Sequence, residues 1–343
     1  MGDLGGLSCA LLTEWLTVCR TQTFDAMETD HDSDHDSAID EQELTRYDGE
    51  LGASPGRHTA KRVLDLGTGT GIWAIDFADA HPSAEVRYPV QFGTSKLTYS
   101  QVIGVDLSAI QPELFEIDDL ELDWEWNRPF DYIFNRSMAG AWSNFRSIIK
   151  KAFEYDVDSC LLFYSLWFYP PVTSSPASDL PTGAQLTPKY ISNLEPGGYF
   201  EIQDLELPSI CDDGTVPPTA ALYRWQHALV AASNAIGRPI NYAPTCLDHL
   251  RDVGFVGIRH QVFQWPFNNW PQDPKLREIG RWNCANLDMG LEGFSMALMT
   301  RVNGWTREAV EELCEEVKHE VKDTRLHAYW RQHVIYARKP GPE

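Results

Sequence analysis

Basic residues are scarce in this 343-residue chain. It carries 28 Lys and Arg against 50 Asp and Glu, for a formal net charge of −22. A surface that binds nucleic acid needs a basic patch to neutralise phosphates, and no such patch occurs in the sequence. The composition therefore argues against direct nucleic-acid binding. It fits an enzyme that acts on small molecules, or a protein that docks on basic partners.

Paired cysteines and long apolar runs are also lacking. The seven cysteines are scattered and form no C-x-x-C pair, which predicts reduced thiols in an intracellular protein. The apolar stretch 4–18 is interrupted by Glu14, and the stretch 160–171 is too short to cross a bilayer. We expect a soluble protein, located in the cytoplasm or nucleus, without a membrane partner.

Large apolar side chains are nearly absent from residues 25–50, which are strongly acidic. Such a composition cannot bury enough apolar surface to offset the entropy of ordering. We therefore divide the chain into an acidic, largely disordered segment, 1–57, and a folded domain, 58–343. His31 and His35 lie among aspartates, but a solvated acidic segment explains them better than a metal site, and no metal is predicted.

The chain does contain a glycine-rich turn between a buried strand and a helix. The apolar run that begins at Arg62 predicts the strand, and an amphipathic pattern follows at Ile72. Gly67, Gly69 and Gly71 permit positive φ angles and a close approach of backbone to ligand. A dinucleotide site requires G-x-G-x-x-G, whereas Ile72 stands where the third glycine would fall. The alternative to a ligand site is a generic glycine turn in an α/β fold.

A second apolar run, 102–107, contains Asp106 at its carboxyl end. In Rossmann-like sheets an acid at this place accepts hydrogen bonds from ribose hydroxyls, about 20 residues after the glycines. Here 35 positions separate Gly71 from Asp106, and residues 86–101 make up the surplus. Residues 155–192 form a second stretch too long for a loop in a compact sheet. We interpret both as atypical insertions and hypothesise retained introns; the alternative for the second is a true lid.

The remaining pattern predicts a doubly wound, mostly parallel sheet with helices. Further strands are predicted at 114–119, 130–136, 194–204, 255–265 and 328–338, the last two as an antiparallel pair. Helices are predicted at 142–153, 220–235 and 275–286, with another after a Thr306 cap. The aromatic segment 265–276 is expected near the carboxyl edge of the sheet, as core rather than as a substrate cage.

The motif D-x-G-x-G-x-G, which runs from Asp65 to Gly71, resembles motif I of the class I S-adenosylmethionine methyltransferases. Other stretches resemble the fungal LaeA-like, TAM-type members of that class: VLDLGTGTGIWAIDFAD, VIGVDLSAIQP, FEIDDLELDW, FDYIFNRSMAG, LEPGGYFEIQD, WPQDPKLREIGRWN, LEGFSMALMTRVNGW and HAYWRQHVIYARKP. The resemblance implies a Rossmann-like doubly wound sheet, mostly parallel with an antiparallel C-terminal strand, and helical additions in the last third.

The resemblance also implies a site for S-adenosyl-L-methionine. The methionyl end would be held by Asp65, Gly67, Thr68, Gly69 and Gly71. Asp106, followed by Leu107, would hold the ribose, and Asp118 or Asp119 with Leu120 the adenine. Asn135 completes the implied set, and no catalytic residue is assigned.

Three departures from the family bear on activity: a missing helix before motif I, a shorter loop between Pro112 and Leu114, and the two insertions. Side chains considered for the acceptor side are Asn135, Arg136, Tyr199, Asp204 and His249, although core or surface roles explain each. The implied function is methyl transfer to an unidentified small molecule or protein, linked to regulation of fungal secondary metabolism. The alternative is a catalytically impaired regulator that acts through protein partners. The glycine spacing disfavours a nicotinamide oxidoreductase.

Overall fold

The computed structural model describes residues 51–81, 101–107, 115–124, 126, 128–153 and 193–341. The predictions for residues 1–50 and for nearly all of 86–101 and 155–192 lie outside these ranges. Gln101, counted above in the first insertion, is the first residue of a strand.

Seven strands form one sheet in the described part of the chain. They are β1 (Arg62–Leu66), β2 (Gln101–Asp106), β3 (Glu116–Ile117), β4 (Phe130–Arg136), β5 (Leu194–Ile210), β6 (Val256–Pro266) and β7 (Tyr329–Arg338). Their order is β3-β2-β1-β4-β5-β7-β6, and β7 runs antiparallel to both of its neighbours. All five residues of β1 are buried, as expected for a central parallel strand covered on both faces. The predicted fold class is confirmed.

Strand β5 is longer than predicted and reaches beyond its neighbour β4. Its last pair with β4 joins Arg136 to Gln203, and it then continues to Ile210, paired with β7. The Pro196-Gly197-Gly198 stretch lies inside β5, where the Gly197 amide donates to the Lys339 carbonyl. The prediction ended too early because the pairing with β7 is a long-range contact that local punctuation does not encode.

Strand β3 is shorter than predicted. Only Glu116 and Ile117 pair with β2, and both are exposed because β3 lies at the edge of the sheet. The other sheet edge, β6, leads directly into the aromatic segment 265–276. Phe267 there is buried and packs edge-on against Trp330 with centroids 4.5 Å apart, in agreement with the core interpretation.

Six α-helices are described outside the sheet. They are α1 (Ile72–Ala80), α2 (Phe145–Phe153), α3 (Ala221–Ala235), α4 (Cys246–Val253), α5 (Pro274–Ala297) and α6 (Arg307–Lys322). Helix α6 follows its Thr306 cap as predicted. Its buried stripe is the predicted one: Val310, Leu313, Cys314, Val317 and Val321.

Two helix boundaries differ from prediction. Helix α2 begins at Phe145 rather than Trp142. The Asn144 side chain accepts the Ser147 amide hydrogen and so caps the N-terminus of the helix at that position. Helix α5 continues to Ala297, past the predicted end at Asn286. In the part of the chain that the structure describes, no helix combines the length and apolar character needed to cross a membrane.

The residues before β1 are anchored to the sheet by one buried carboxylate, Glu201 of β5. It accepts hydrogen bonds from the amides of Ala53 and Ser54, at 2.8 and 2.6 Å, and from the Tyr132 hydroxyl and the Gln203 amide, at 2.9 and 2.6 Å. Burial raises the pKa of Glu201, and these four donors oppose the rise.

The anchored segment continues as a short 3₁₀ helix, Pro55–His58, whose cap is Ser54. The domain boundary that we predicted after residue 57 stays a prediction; this 3₁₀ helix runs across it. Just before this segment, the Leu51 carbonyl accepts a hydrogen bond from the Trp73 indole of α1 at 2.8 Å.

Candidate functional site

The glycine turn connects β1 to α1 at the carboxyl edge of the sheet. Gly67, Gly69 and Gly71 have φ angles of 68°, 62° and 85°, in the left-handed region that favours glycine. Thr68 ties the turn down, since its hydroxyl donates to the Asp65 carboxylate at 2.6 Å and its amide to the Val105 carbonyl at 3.0 Å. The turn is thus a fixed loop that ends at the N-terminus of a helix.

Two side chains lie so close to this turn that a Cβ on Gly67 or Gly71 would overlap with them. A Cβ on Gly67 would lie 2.1 Å from the Met138 sulfur, and one on Gly71 would lie 2.4 Å from the Phe115 ring. Met138 is 4% exposed, so it cannot swing away without disturbing its own packing. Sequence reasoning missed both residues because neither carries a functional group that draws attention.

Asp106, the residue for which the resemblance implies ribose binding, contacts the glycine turn. Its carboxylate accepts the Gly69 amide hydrogen at 3.0 Å, and it is buried, as is Asp65, each with 3% exposure. Leu107, the next residue, is 38% exposed, and the Asp106 carbonyl accepts from the Asp118 amide at 3.1 Å. The structure therefore brings the predicted methionyl and ribose residues into one cluster.

The adenine-side loop, defined here as residues 118–122, follows β3. Asp118 is exposed and Asp119 half-buried, and the Asp119 carboxylate accepts the Glu121 amide hydrogen at 2.9 Å. Leu120 is buried in the main apolar core, and its carbonyl accepts from the Trp124 indole at 2.9 Å. Contact of Asp118, Asp119 or Leu120 with an adenine ring stays a prediction.

Asn135, at the carboxyl end of β4, lies in a fully buried polar network. Its oxygen accepts from the Trp142 indole at 3.1 Å, and its nitrogen donates to the Tyr242 hydroxyl at 3.4 Å. Tyr242 in turn donates to the Asp204 carboxylate at 2.5 Å, and Asp204 also accepts the Met138 amide hydrogen at 2.9 Å. Burial, followed by the Asp204 charge, raises the pKa of Tyr242 well above its ordinary value.

This network holds the residue that packs against the glycine turn. It fixes the backbone of Met138, whose sulfur lies against Gly67, and so connects the end of β4 and the middle of β5 to the turn. Tyr242 was missed by sequence reasoning because it lies in a short 3₁₀ connection, more than 100 residues along the chain from Asn135.

The other residues considered for the acceptor side are more scattered. Tyr199 pairs in register with Tyr132 in the amino half of the sheet and packs against Gly56. His249 lies on α4, where burial, followed by the charge of Arg146, lowers its pKa. Arg136 is half-buried at the end of β4. Asn135 and Asp204 join the network beneath the glycine turn, whereas Tyr199 and His249 lie in other parts of the fold.

Comparison with known proteins gives consistent matches over most of the chain. Residues 39–175 match a family model described as "Methyltransferase domain". "Methyltransferase pytC" of Aspergillus terreus is 32% identical over 286 residues, which cover 82% of this chain and 72% of that protein. "Secondary metabolism regulator LAE1" of Cochliobolus heterostrophus is 32% identical over 82% of this chain and 78% of that protein. "Probable methyltransferase tdiE" of Emericella nidulans is 29% identical over 86% of this chain and 77% of that protein.

The sheet order, the glycine turn and the facing acid define a class I methyltransferase. With relatives at this identity over most of both chains, the chain belongs to the LaeA-like methyltransferase family. The predicted family membership is confirmed.

Proposed function

We propose that this chain binds S-adenosyl-L-methionine at the glycine turn and transfers its methyl group to an acceptor, either a small molecule or a protein. The observation that carries the proposal is the contact between the Gly69 amide and the Asp106 carboxylate, at 3.0 Å. It joins the turn after β1 to the acid at the end of β2, the two places from which a nucleoside is held in sheets of this kind.

The residues present fit that cofactor. Asp65 offers a buried negative charge behind the turn for the ammonium group of the methionyl end. Asp106 offers a carboxylate to ribose hydroxyls, and Asp118 or Asp119 offers one to the adenine amino group. Met138 and Phe115 lie so close to Gly67 and Gly71 that neither position has room for a Cβ. Leu107 and Asn135 complete the proposed set.

The cofactor supplies a methyl group on a sulfonium, which is already electrophilic. The chain therefore needs to align the acceptor and exclude water rather than provide a nucleophile. A base contributes only where the acceptor must lose a proton. We assign no catalytic residue, because Asp204, a buried carboxylate at this edge, is engaged by Tyr242 and by the Met138 amide.

The names of the relatives support a role in secondary metabolism. One is called a secondary metabolism regulator, and laeA of Emericella nidulans, 28% identical over 82% of this chain and 63% of that protein, is called a protein-methionine methyltransferase. The second candidate function is thus a regulator that keeps the fold and acts through protein partners.

A cytoplasmic or nuclear location is proposed from the cysteine pattern. Four cysteines of the described residues are free thiols: Cys211, Cys246, Cys284 and Cys314.

Replacing Asp106 by asparagine is expected to weaken S-adenosylhomocysteine binding by about 10- to 100-fold. A hydrogen bond to a charged acceptor contributes about 1.5–3 kcal/mol, and the amide keeps only one acceptor oxygen. Isothermal titration calorimetry measures the change. Asp79→Asn, an exposed site on α1, serves as the matched control and should bind like the unaltered chain. Equal affinity for the Asp106 variant would remove the ribose role from this residue.

The acceptor class can be measured with cofactor that carries a tritiated methyl group. We incubate the chain with fungal extract and separate protein from small molecules before counting. Label in either fraction, reduced for Asp106→Asn at limiting cofactor, supports an enzyme and names its acceptor class. Absence of label, together with normal S-adenosylhomocysteine binding, would favour the regulatory alternative.

A further inference from the structure

We propose that Glu121 is a positioning residue that fastens the adenine-side loop to the acceptor-side loop, so that cofactor binding orders both. The acceptor-side loop is defined as residues 137–144, between β4 and α2. The inference rests on the proposed function, because the adenine-side loop has its role only if the cofactor binds there. It assigns a role to a carboxylate that does not itself belong to the implied cofactor set.

Glu121 spans the gap between the two loops with one carboxylate. Its Oε1 accepts hydrogen bonds from the Ser143 amide at 2.7 Å and from the Ser143 hydroxyl at 2.6 Å. Its Oε2 forms an ion pair with Arg238 at 2.6 Å. Every one of these contacts joins residue 121 to a part of the chain that follows β4 or α3, more than 20 residues away.

Arg238 makes the connection double. Besides its pair with Glu121, its guanidinium donates to the Ala141 carbonyl, inside the acceptor-side loop. The side chains of Arg238 and Glu121 are only 13% and 21% exposed, so solvent screens this pair far less than a surface pair. The contacts of Glu121 with Ser143 and Arg238, and of Arg238 with Ala141, thus form a ring that the chain from 141 to 143 closes.

A further contact fixes each of the two loops. The Lys151 ammonium on α2 donates to the carbonyls of Leu120, Glu121 and Leu122, at 3.3, 2.5 and 2.5 Å. Asp204 holds the Met138 amide at the start of the other loop. Glu121 therefore connects the adenine-side loop to the acceptor-side loop. Met138, near the start of the acceptor-side loop, lies against Gly67.

The charge of Glu121 suits this role. Burial acts to raise its pKa, but the hydrogen bonds from Ser143 and the charge of Arg238 outweigh that effect and lower the pKa below its ordinary value. The side chain is thus ionised at neutral pH, and the ion pair with Arg238 is present under conditions where the cofactor would bind.

Two substitutions separate the contacts. Glu121→Gln keeps an oxygen for Ser143 and removes the charge that pairs with Arg238, and it is expected to weaken S-adenosylhomocysteine binding by about tenfold, a common size for coupling between sites. Arg238→Lys keeps the charge but cannot contact Glu121 and Ala141 together, because a single ammonium replaces a planar fork. The affinity of Arg238→Lys for S-adenosylhomocysteine should lie between that of the unaltered chain and that of Glu121→Gln. Glu311→Gln, which breaks an exposed ion pair with Arg307, is the control and should bind normally.

Amide hydrogen exchange provides the readout that a merely structural role would not change. In the unaltered chain, S-adenosylhomocysteine should slow exchange in both residues 118–122 and residues 137–144. In Glu121→Gln, at saturating ligand, protection should remain at 118–122 and be lost at 137–144. A structural role alone would speed exchange equally with and without ligand.

The outcomes separate this inference from the proposed function. If the unaltered chain fails to bind S-adenosylhomocysteine, the proposed function itself is wrong. If the unaltered chain binds but 137–144 gains no protection, or if Glu121→Gln keeps both affinity and protection, Glu121 does not join the two loops. Should Glu121→Gln fail to fold, the same two measurements on Arg238→Lys decide the matter.

Discussion

Replacing Gly67 by alanine is expected to weaken S-adenosylhomocysteine binding by about a hundredfold or more. The alanine must adopt φ 68°, which costs roughly 1–2 kcal/mol for a residue with a Cβ. Its methyl group would also lie 2.1 Å from the Met138 sulfur, which is packed in the interior. The turn must therefore move, and the amide of Gly69 would leave Asp106. Calorimetric titration measures the loss.

Gly197→Ala is the matched control for this experiment. Gly197 also has a positive φ, 86°, but no atom lies within 4 Å of the position of its Cβ. The control should lose about 1 kcal/mol of stability through backbone strain alone and bind S-adenosylhomocysteine as before. Equal binding by the Gly67 and Gly197 variants would show that the turn is not part of the cofactor site.

Replacing Glu201 by glutamine is expected to lower the free energy of unfolding by about 2 kcal/mol, the usual cost when a buried donor loses its acceptor. Turned one way, the amide places its NH₂ group against the backbone N–H of Ser54. Turned the other way, it places that group against the Ala53 N–H and the Gln203 amide, and Ala53 keeps only its longer contact, at 3.1 Å. The backbone donors cannot rotate to compensate, unlike the Tyr132 hydroxyl. Urea unfolding followed by tryptophan fluorescence measures the change.

Glu195→Gln, an exposed position on the same strand, should leave the unfolding free energy within about 0.5 kcal/mol of the unaltered value. The Glu201 variant should also show faster proteolysis near residues 51–58, since their anchor is weakened. An unchanged midpoint for Glu201→Gln would mean that the segment before β1 is held mainly by apolar contacts such as those of Tyr199 with Gly56.

Local patterns in the sequence were sufficient for much of the fold and for the glycine turn, whereas the cofactor residues come from the resemblance and stay a prediction. The Thr306 cap and the spacing of Val310, Leu313 and Val317 predicted α6 with its buried stripe, because both signals lie within one helix. The three glycines predicted the turn, because few other residues tolerate such φ angles. Asp106 was predicted because it ends an apolar run beside that turn.

The features that sequence reasoning missed all depend on contacts between distant parts of the chain. Glu201 has its acceptor role only because residues 53 and 54 return to β5, almost 150 positions away. Tyr242 joins the site through Asn135 and Asp204, and Met138 joins it through Asp204 and Gly67, all of them distant along the chain. A local pattern shows that a residue is polar or apolar, but the partner that gives it a role comes from tertiary packing.

The central claim is that the glycine turn binds S-adenosylmethionine rather than a dinucleotide. Isothermal titration of S-adenosylhomocysteine into the full chain tests it most directly, with NAD as the comparison ligand and a shortened chain that lacks residues 86–101 and 155–192 run in parallel. We predict saturable one-to-one binding of S-adenosylhomocysteine to at least one of the two chains, and no heat from NAD. Heat from NAD, or none from S-adenosylhomocysteine with either chain, would contradict the account.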